Sequence, residues 1–293
     1  MISGIDISAW NGDFDLAKAQ EEGFEFVIVK AGGSDCGRYI DRKFATNYEK
    51  AKALGMPVGV YWYTDARTVD AAVADAEYLY EHCLKGRQFE LPIYFDVEGN
   101  MLKLSQRLLT DICHAWCKRL EELGFFVGIY SGFYSFRDSM FDNELQRYAH
   151  WLAVWGTKHS YQGDCLGMWQ YGGETNAIRS NKVAGQVCDQ NYMLVDYPGM
   201  IKAAGKNGFE KPSAPDIPDE EQAAETPDVL YRVELGDFDE ATANALADRL
   251  KELSIGDPRV VAVTQTSTAS ESGSGRSLGP EHDVDKLANK TLV

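Results

Sequence analysis

Positive charge is scarce in this chain: 29 Lys and Arg stand against 45 Asp and Glu, a net of −16. Phosphate recognition needs clustered Lys and Arg, so nucleic acid and anionic membrane surfaces are excluded as partners. No apolar run approaches the roughly 20 residues that cross a bilayer, which excludes membrane insertion. The segment MISGIDISAW has no basic stretch, no long apolar run and no small-residue cleavage site, so no signal peptide is expected. Paired cysteines are lacking too. Cys36, Cys83, Cys113, Cys117, Cys165 and Cys188 show no CxxC spacing and sit among apolar residues, the pattern of buried free thiols in a reducing cytosol. Cys113 and Cys117 share a helix face that His114 leaves, which argues against a metal there.

What is present is a rhythm. From residue 1 to about 205, short apolar runs alternate with amphipathic segments, as in βα units around a parallel sheet. Strands are expected at 2–8, 24–31, 57–64, 91–98 and 125–131, with helical patterns between them that stop at glycine. After residue 140 the runs 150–156, 165–173 and 185–193 are separated by loops too short or too polar for full helices. The expectation is an α/β fold, an irregular TIM-like (β/α)5β3 barrel over residues 1–210, with functional residues where strands end at the C-terminal rim.

Residues 211–228, KPSAPDIPDEEQAAETPD, are rich in Pro and acid and read as a linker. Residues 212–293 carry a net of −10, leaving −6 for residues 1–211, so the acidity is concentrated outside the barrel. Beyond the linker, residues 229–293 read as a small α+β module: VLYRVELGDF as strand, DEATANALADRLKEL as helix, DPRVVAVTQ as strand, then a Ser- and Gly-rich tail. The final HDVDKLANKTLV is expected to be a short helix or disordered.

The stretch LPIYFDVEGN sets Asp96 and Glu98 two positions apart at the polar end of an apolar strand. Alternation puts both on one face, their backbones roughly 7 Å apart. Charges in a barrel interior are costly unless they serve a site, hold a metal or pair with a base. A general acid beside an ionised partner is the glycosidase pattern. The same parity brings Asp6 to the rim from the first strand, and the last strand adds Asp189. Tyr61 and Tyr63, Tyr130, and Trp155 fall at other strand ends, suiting a groove that stacks on sugar rings. No histidine lies near these ends, and no cofactor is expected; an all-oxygen Mg²⁺ or Ca²⁺ site stays open.

Residues 2 to about 197 resemble glycoside hydrolase family 25, the Chalaropsis-type lysozymes, through GIDIS with Asp6, VIVKAG with Lys30, GVYWY, PIYFDVE, GIYSG, WLAVW, WQY with Gln170, and CDQNY with Asp189. The resemblance implies a (β/α)5β3 barrel that hydrolyses the β-1,4 bond between N-acetylmuramic acid and N-acetylglucosamine in bacterial peptidoglycan. It implies Glu98 as the general acid and Asp96 as the group that stabilises or orients charge near the anomeric carbon. Asp6 and Asp189 would tune the site and position water or the substrate acetamido group. Tyr61, Tyr63, Tyr130, Trp155, Gln170 and Lys30 are then candidate substrate contacts, Lys30 equally a structural ion-pair partner. The family is considered retaining, and whether the acetamido group is the internal nucleophile stays open. Trp62 stands where the family often has His, and Trp155 where many members have Tyr, which bears on subsite detail. Residues 229–293 more faintly resemble a SPOR-type peptidoglycan-binding module, without a second strand-helix repeat. The expected activity is that of a phage or prophage endolysin acting on the wall after release. The alternatives are a non-catalytic glycan-binding barrel or a hydrolase of another amino-sugar polymer such as chitin.

Overall fold

The computed structural model describes residues 1–212, 260–263 and 289–292. The chain divides after Asp216 into two units, each taken by itself.

In the first unit the elements are β1 (Ile2–Ile7), α1 (Leu16–Glu21), β2 (Phe26–Gly33), β3 (Tyr39–Ile40), α2 (Phe44–Ala53), β4 (Val58–Tyr63), α3 (Val69–Leu79), β5 (Ile93–Asp96), α4 (Gln106–Glu122), β6 (Val127–Gly132), α5 (Asp142–Leu145), β7 (Ala149–Ala153), β8 (Leu166–Gly172), β9 (Lys182–Val183), β10 (Gln186–Val187), β11 (Asp189–Met193) and α6 (Tyr197–Ala204). Side chains start most of the helices. Asp15, Thr68, Ser105 and Asp196 each accept a backbone N–H in the first turn, satisfying donors the helix leaves open.

The sheet runs β1-β11-β8-β7-β6-β5-β4-β2, and β1 also pairs with β2, which closes an eight-stranded barrel. Of the eight barrel strands only β11 is antiparallel to its neighbours. This is the expected (β/α)5β3 barrel, with helices after the first five barrel strands and none between the last three. The short β3 folds back on the end of β2, and β9 and β10 form a small hairpin before β11. Neither was foreseen, because two-residue strands carry too little alternation to read.

Alternation sorts the core in two. Ile5, Ile7, Val27, Val29, Val58 and Val60 face the helices, with Phe95 stacked on Trp116 of α4 at 4.6 Å. Phe26, Ile28, Tyr94, Trp151, Met168 and Met193 fill the barrel interior. Gly128 leaves room there: a Cβ on it would lie 2.5 Å from the Tyr94 ring. The barrel is closed below by Asn207, fully buried with φ of 55°. Its Nδ2 donates to the carbonyls of Phe89 and Leu91 at 3.1 and 2.8 Å, and its Oδ1 accepts from Phe126 N at 2.6 Å.

All six cysteines are free. Cys83, Cys113, Cys117 and Cys188 are buried as expected, but Cys36 is exposed and Cys165 half-buried, since their loops lie outside the packed layers. His114 turns from the Cys113–Cys117 face toward Tyr148 OH at 3.2 Å. No helix among the described residues is long and apolar enough to cross a membrane. In the second unit, β12 (Val260–Val263) pairs antiparallel with β13 (Asn289–Leu292). The terminal segment thus ends in a strand, where a helix or disorder was expected; cross-strand pairing supplies what its weak local pattern does not. The linker from residue 213 on, the VLYRVELGDF strand and the Ala-rich helix lie outside the described residues.

Behind the barrel, His150 is fully buried between two acceptors, Asp142 Oδ1 and the Tyr148 carbonyl, each at 2.9 Å. Both ring nitrogens must therefore carry hydrogen. Burial alone would lower the His150 pKa, but its bonds to Asp142 and Cys165 lift it to about 9. Asp142, whose pKa is lowered despite burial, also accepts from Tyr161 and Gln146 at 2.8 Å. Asp142→Ala strands this buried cation and is expected to cost roughly 3–5 kcal/mol. At about 2–4 °C per kcal/mol, thermal melts should fall by about 10 °C. The histidine's share of stability is full below about 6.5 and fades as pH rises through about 9, so the parent–variant gap should narrow there.

Candidate active site

The LPIYFDVEGN strand keeps its alternation past its last formal residue. Val97 N donates to the Tyr130 carbonyl at 3.0 Å and Glu98 is extended, with φ −149° and ψ −173°. Asp96 and Glu98 therefore share the inner face, one step apart in depth. Asp96 is only 4% exposed, and its Oδ1 is buried without a hydrogen-bond partner. Glu98 stands open at the rim, where Gly99 with φ of 57° turns the chain away.

Asp6 of β1 and Asp189 of β11 are register partners, directly opposed across the closure of the barrel. Asp6 is buried, and its Oδ2 accepts from Asn191 Nδ2 at 2.8 Å and Gln170 Nε2 at 3.0 Å. Both amides are locked from behind. Trp151 Nε1 donates to Asn191 Oδ1 at 2.8 Å, while Tyr130 OH and Trp155 Nε1 both donate to Gln170 Oε1 at 3.0 Å. An indole N–H can only donate, so the amide oxygens must face the aromatic groups and the NH₂ groups must face Asp6. Gln170 thus acts on Asp6 from below the mouth.

The four carboxyls feel one another. Desolvation raises the Asp6 pKa, the bonds from Asn191 and Gln170 oppose it, and the charge of Glu98 adds to it, leaving about 6. Desolvation with the charges of Asp6, Glu98 and Glu174 brings Asp189 to about 8. Asp96 is held well above the usual range by desolvation, with Glu98 adding to this and Lys30 opposing. Although Glu98 is open to water at its outer edge, the protein around its carboxyl is enough to raise its pKa against Lys30. These acids titrate as a group, and at neutral pH the group holds protons that isolated carboxyls would have lost.

Lys30 makes no ion pair among the described residues. Its Nζ lies 4.7 Å from the Tyr63 ring centre, 5.8 Å from Tyr39 and 5.9 Å from Tyr61. This cationic group faces the mouth from an aromatic cage. The fold thus brings Asp6, Asp96, Glu98, Asp189, Lys30, Tyr61, Tyr63, Tyr130, Trp155 and Gln170 together at the mouth where the parallel strands end and the antiparallel β11, led by Asp189, begins. Trp62 belongs elsewhere: it is fully buried on the outer face of β4, donating to Asp75 Oδ2 at 3.1 Å. Its difference from the family pattern therefore has no bearing on a sugar subsite. Trp155 keeps a donor, its N–H on Gln170, where a tyrosine would offer O–H.

Sequence reasoning missed Asn191, which shares the face of Asp189 two positions on and could have been found by parity. It also missed Trp10 and Tyr134, which sit in short helical turns after β1 and β6 where too few residues run for periodicity to show. Both are strongly exposed, as is Trp155, and all three follow barrel strands. Gly173 is needed beside them, since a Cβ there would lie 2.0 Å from Asp189 Oδ1 and 2.7 Å from the Trp155 ring. Two clefts flank the acids, one of about 410 Å³ at the ends of β1 and β2 and one of about 710 Å³ at the ends of β6 and β7. Those strand pairs stand across the barrel from each other. Among the described residues, no group of three His, Cys, Asp or Glu is placed to hold a metal ion.

Clustered carboxyls at the mouth of a barrel beneath an aromatic rim are the arrangement a glycoside hydrolase uses, and the sequence places the chain in that class. The chain belongs to glycosyl hydrolases family 25, whose sequence profile matches residues 5–178. Solved structures of similar fold include the CTP1L endolysin, 22% identical with a TM-score of 0.58, covering 69% of this chain and 70% of that one. A bacterial lysozyme from Streptomyces coelicolor is 21% identical with a TM-score of 0.57, covering 69% of this chain and 96% of its own. A muramidase from Trichobolus zukalii is 22% identical with a TM-score of 0.58, covering 71% of this chain and 100% of its own. A search of curated protein sequences found no match.

Because the fold holds the Asp189 proton more tightly than the unfolded chain does, stability is lost as pH rises from about 4 to about 8. Asparagine cannot ionise. The melting temperature of Asp189→Asn relative to the parent should therefore climb across that window and level off above it. Each kcal/mol would appear as about 2–4 °C, and a difference that stays flat with pH would contradict the assignment.

Proposed function

We propose that the chain is a muramidase that cleaves the β-1,4 bond between N-acetylmuramic acid and N-acetylglucosamine in bacterial peptidoglycan. The observation that carries this reading is the convergence of acids from β1, β5 and β11 beneath an aromatic rim.

Glu98 is the general acid. It is the carboxyl open to the mouth, and its raised pKa keeps a proton available for the departing oxygen. As the bond breaks, positive charge grows at the anomeric carbon. Asp96, one step deeper and with an unpartnered oxygen, answers it, since a developing cation nearby favours its ionised form. Asp6 and Asp189 face each other at the closure and orient water or the acetamido group, Asp6 fixed by its two amides. Tyr61, Tyr63, Tyr130 and Trp155 supply faces and edges for sugar rings, and Lys30 limits how far the Glu98 pKa rises. Action at the cell wall follows from the substrate. Residues 229–293, after the linker 211–228, are proposed as a wall-binding module.

Glu98→Gln keeps the shape and deletes the proton donor. Hydrolysis of purified peptidoglycan should fall by about 10²–10⁴-fold with the fold and wall binding retained. Mass spectrometry of the parent's products should place the new reducing end on N-acetylmuramic acid; near-normal turnover in the variant would mean the acid is misassigned. Deleting residues 229–293 should weaken attachment to intact walls in a pull-down more than it slows cleavage of soluble glycan fragments. An unchanged pull-down would remove the proposed role of that module.

A further inference from the structure

The cleft at the ends of β1 and β2 has a character that cutting a neutral sugar chain does not require. Its outer wall is Trp10, 93% exposed, and its other side carries Tyr39, Lys30 and Arg42. An indole this open is ordinarily expected to be loosely held, but here the backbone beneath it is fixed on three sides. Ser8 Oγ accepts from Trp10 N at 3.1 Å, Asn11 Oδ1 from Ser8 N at 2.9 Å, and Asp41 Oδ2 from Ala9 N at 3.0 Å. An open indole carried on a fixed backbone at the edge of a cleft offers a flat stacking surface to whatever the cleft holds.

The charge in this cleft is selective. Its one carboxylate, Asp41, is buried, and both of its oxygens are engaged, Oδ1 accepting from Lys43 N at 2.8 Å. What remains facing the opening is cationic. Arg42 is exposed, Lys30 reaches in from β2, and neither pairs with a carboxylate among the described residues. In a segment with a net charge of −6, an exposed Arg42 that pairs with no carboxylate among the described residues, set beside an open indole, is matched to an anionic occupant; the charge of Lys30 is already shared with Asp96 and Glu98.

Peptidoglycan offers one. Its sugar backbone is neutral, whereas every second sugar carries, through a lactyl group, a short peptide bearing free carboxylates. We propose that the Trp10–Arg42 cleft is a subsite for this acidic peptide branch, Trp10 lying against the chain and Arg42 pairing with a carboxylate. The inference rests on the muramidase reading. Lys30, shared with the catalytic mouth, joins the two.

The test compares the full-length parent with Trp10→Ala, Arg42→Gln and Arg42→Glu on purified peptidoglycan and on the same glycan stripped of its peptides by an amidase, the lactyl carboxyls that this frees being capped as methylamides. On the peptide-bearing polymer, Trp10→Ala should lower kcat/KM about tenfold. Arg42→Gln should lower it about threefold and Arg42→Glu further, the Arg42 effect fading at high ionic strength. On stripped chains both Arg42 variants should match the parent, and Trp10→Ala should lose less than it does on the peptide-bearing polymer. Equal losses on both polymers would make the cleft a sugar subsite, and no loss on either would leave it without a ligand; both results overturn the proposal. A parent that cleaves neither polymer would instead sink the muramidase reading itself.

Discussion

Two amide groups converge on one oxygen of Asp6, and the chemistry of the mouth depends on that pair of hydrogen bonds. Asp6 is buried and faces Asp189, so without donors its carboxyl would simply stay protonated. The bonds bring its pKa back to about 6, where it can change charge in the working range. Their direction is set one layer further out by Trp151, Trp155 and Tyr130, whose N–H and O–H groups leave the amides no other orientation. Aromatics that look like sugar platforms are thus also the supports of the acid cluster. A change at Trp155 would be felt by Asp6 through Gln170 without any contact between them.

The barrel separates these costs by depth. Its lower interior is hydrocarbon, with Phe26, Leu91, Tyr94, Met168 and Met193 packed around the gap at Gly128 and sealed by Asn207. Each such side chain contributes about 1.5–3 kcal/mol by leaving water. The upper layer holds the acids, where desolvation disfavours charge and the rise in pKa is the result. A second polar network, Asp75 with Trp62, Ser34, Thr64 and Arg38, lies outside the barrel and ties α3 to the β2–β3 turn. That turn carries Tyr39, so the packing of α3 helps to place one wall of the aromatic cage around Lys30.

Much of this was legible because strand parity is a local rule. Alternation alone put Asp6, Tyr61, Asp96, Glu98 and Tyr130 on inner faces, and the closed barrel follows from eight apolar runs with helices after the first five. The same rule, extended two residues beyond Asp189, would have found Asn191. Trp62 and Tyr61 are neighbours in sequence, and one lies outside against Asp75 and the other inside, as parity requires. Other features could not be read this way. The His150–Asp142–Tyr161–Cys165 cluster joins residues across turns with no periodic signature, and the rim aromatics Trp10 and Tyr134 sit in helical turns too short to show one. The β3 strand pairs with Gly32 and Gly33, where β2 runs on past the end of β1 and its backbone groups need partners, a tertiary demand that two residues cannot announce.

The spacing of Asp96 and Glu98 converts a strand into a gradient. Two residues along a strand is roughly 7 Å, enough to carry a side chain from the packed interior to the water line while keeping it on the same face. One strand therefore offers the same functional group in two environments, with no need to recruit a second element. The deeper acid, lacking a hydrogen-bond partner on one oxygen, is the harder to ionise and responds most to positive charge arriving above it. The shallower acid keeps contact with solvent and can be reprotonated after each proton it gives away. A spacing of one would have sent one carboxylate out among the helices, and a spacing of four would have pushed one of them clear of the barrel or into its hydrocarbon floor. Of the short spacings, two is the one that lets neighbouring carboxyls share a substrate and differ in proton affinity.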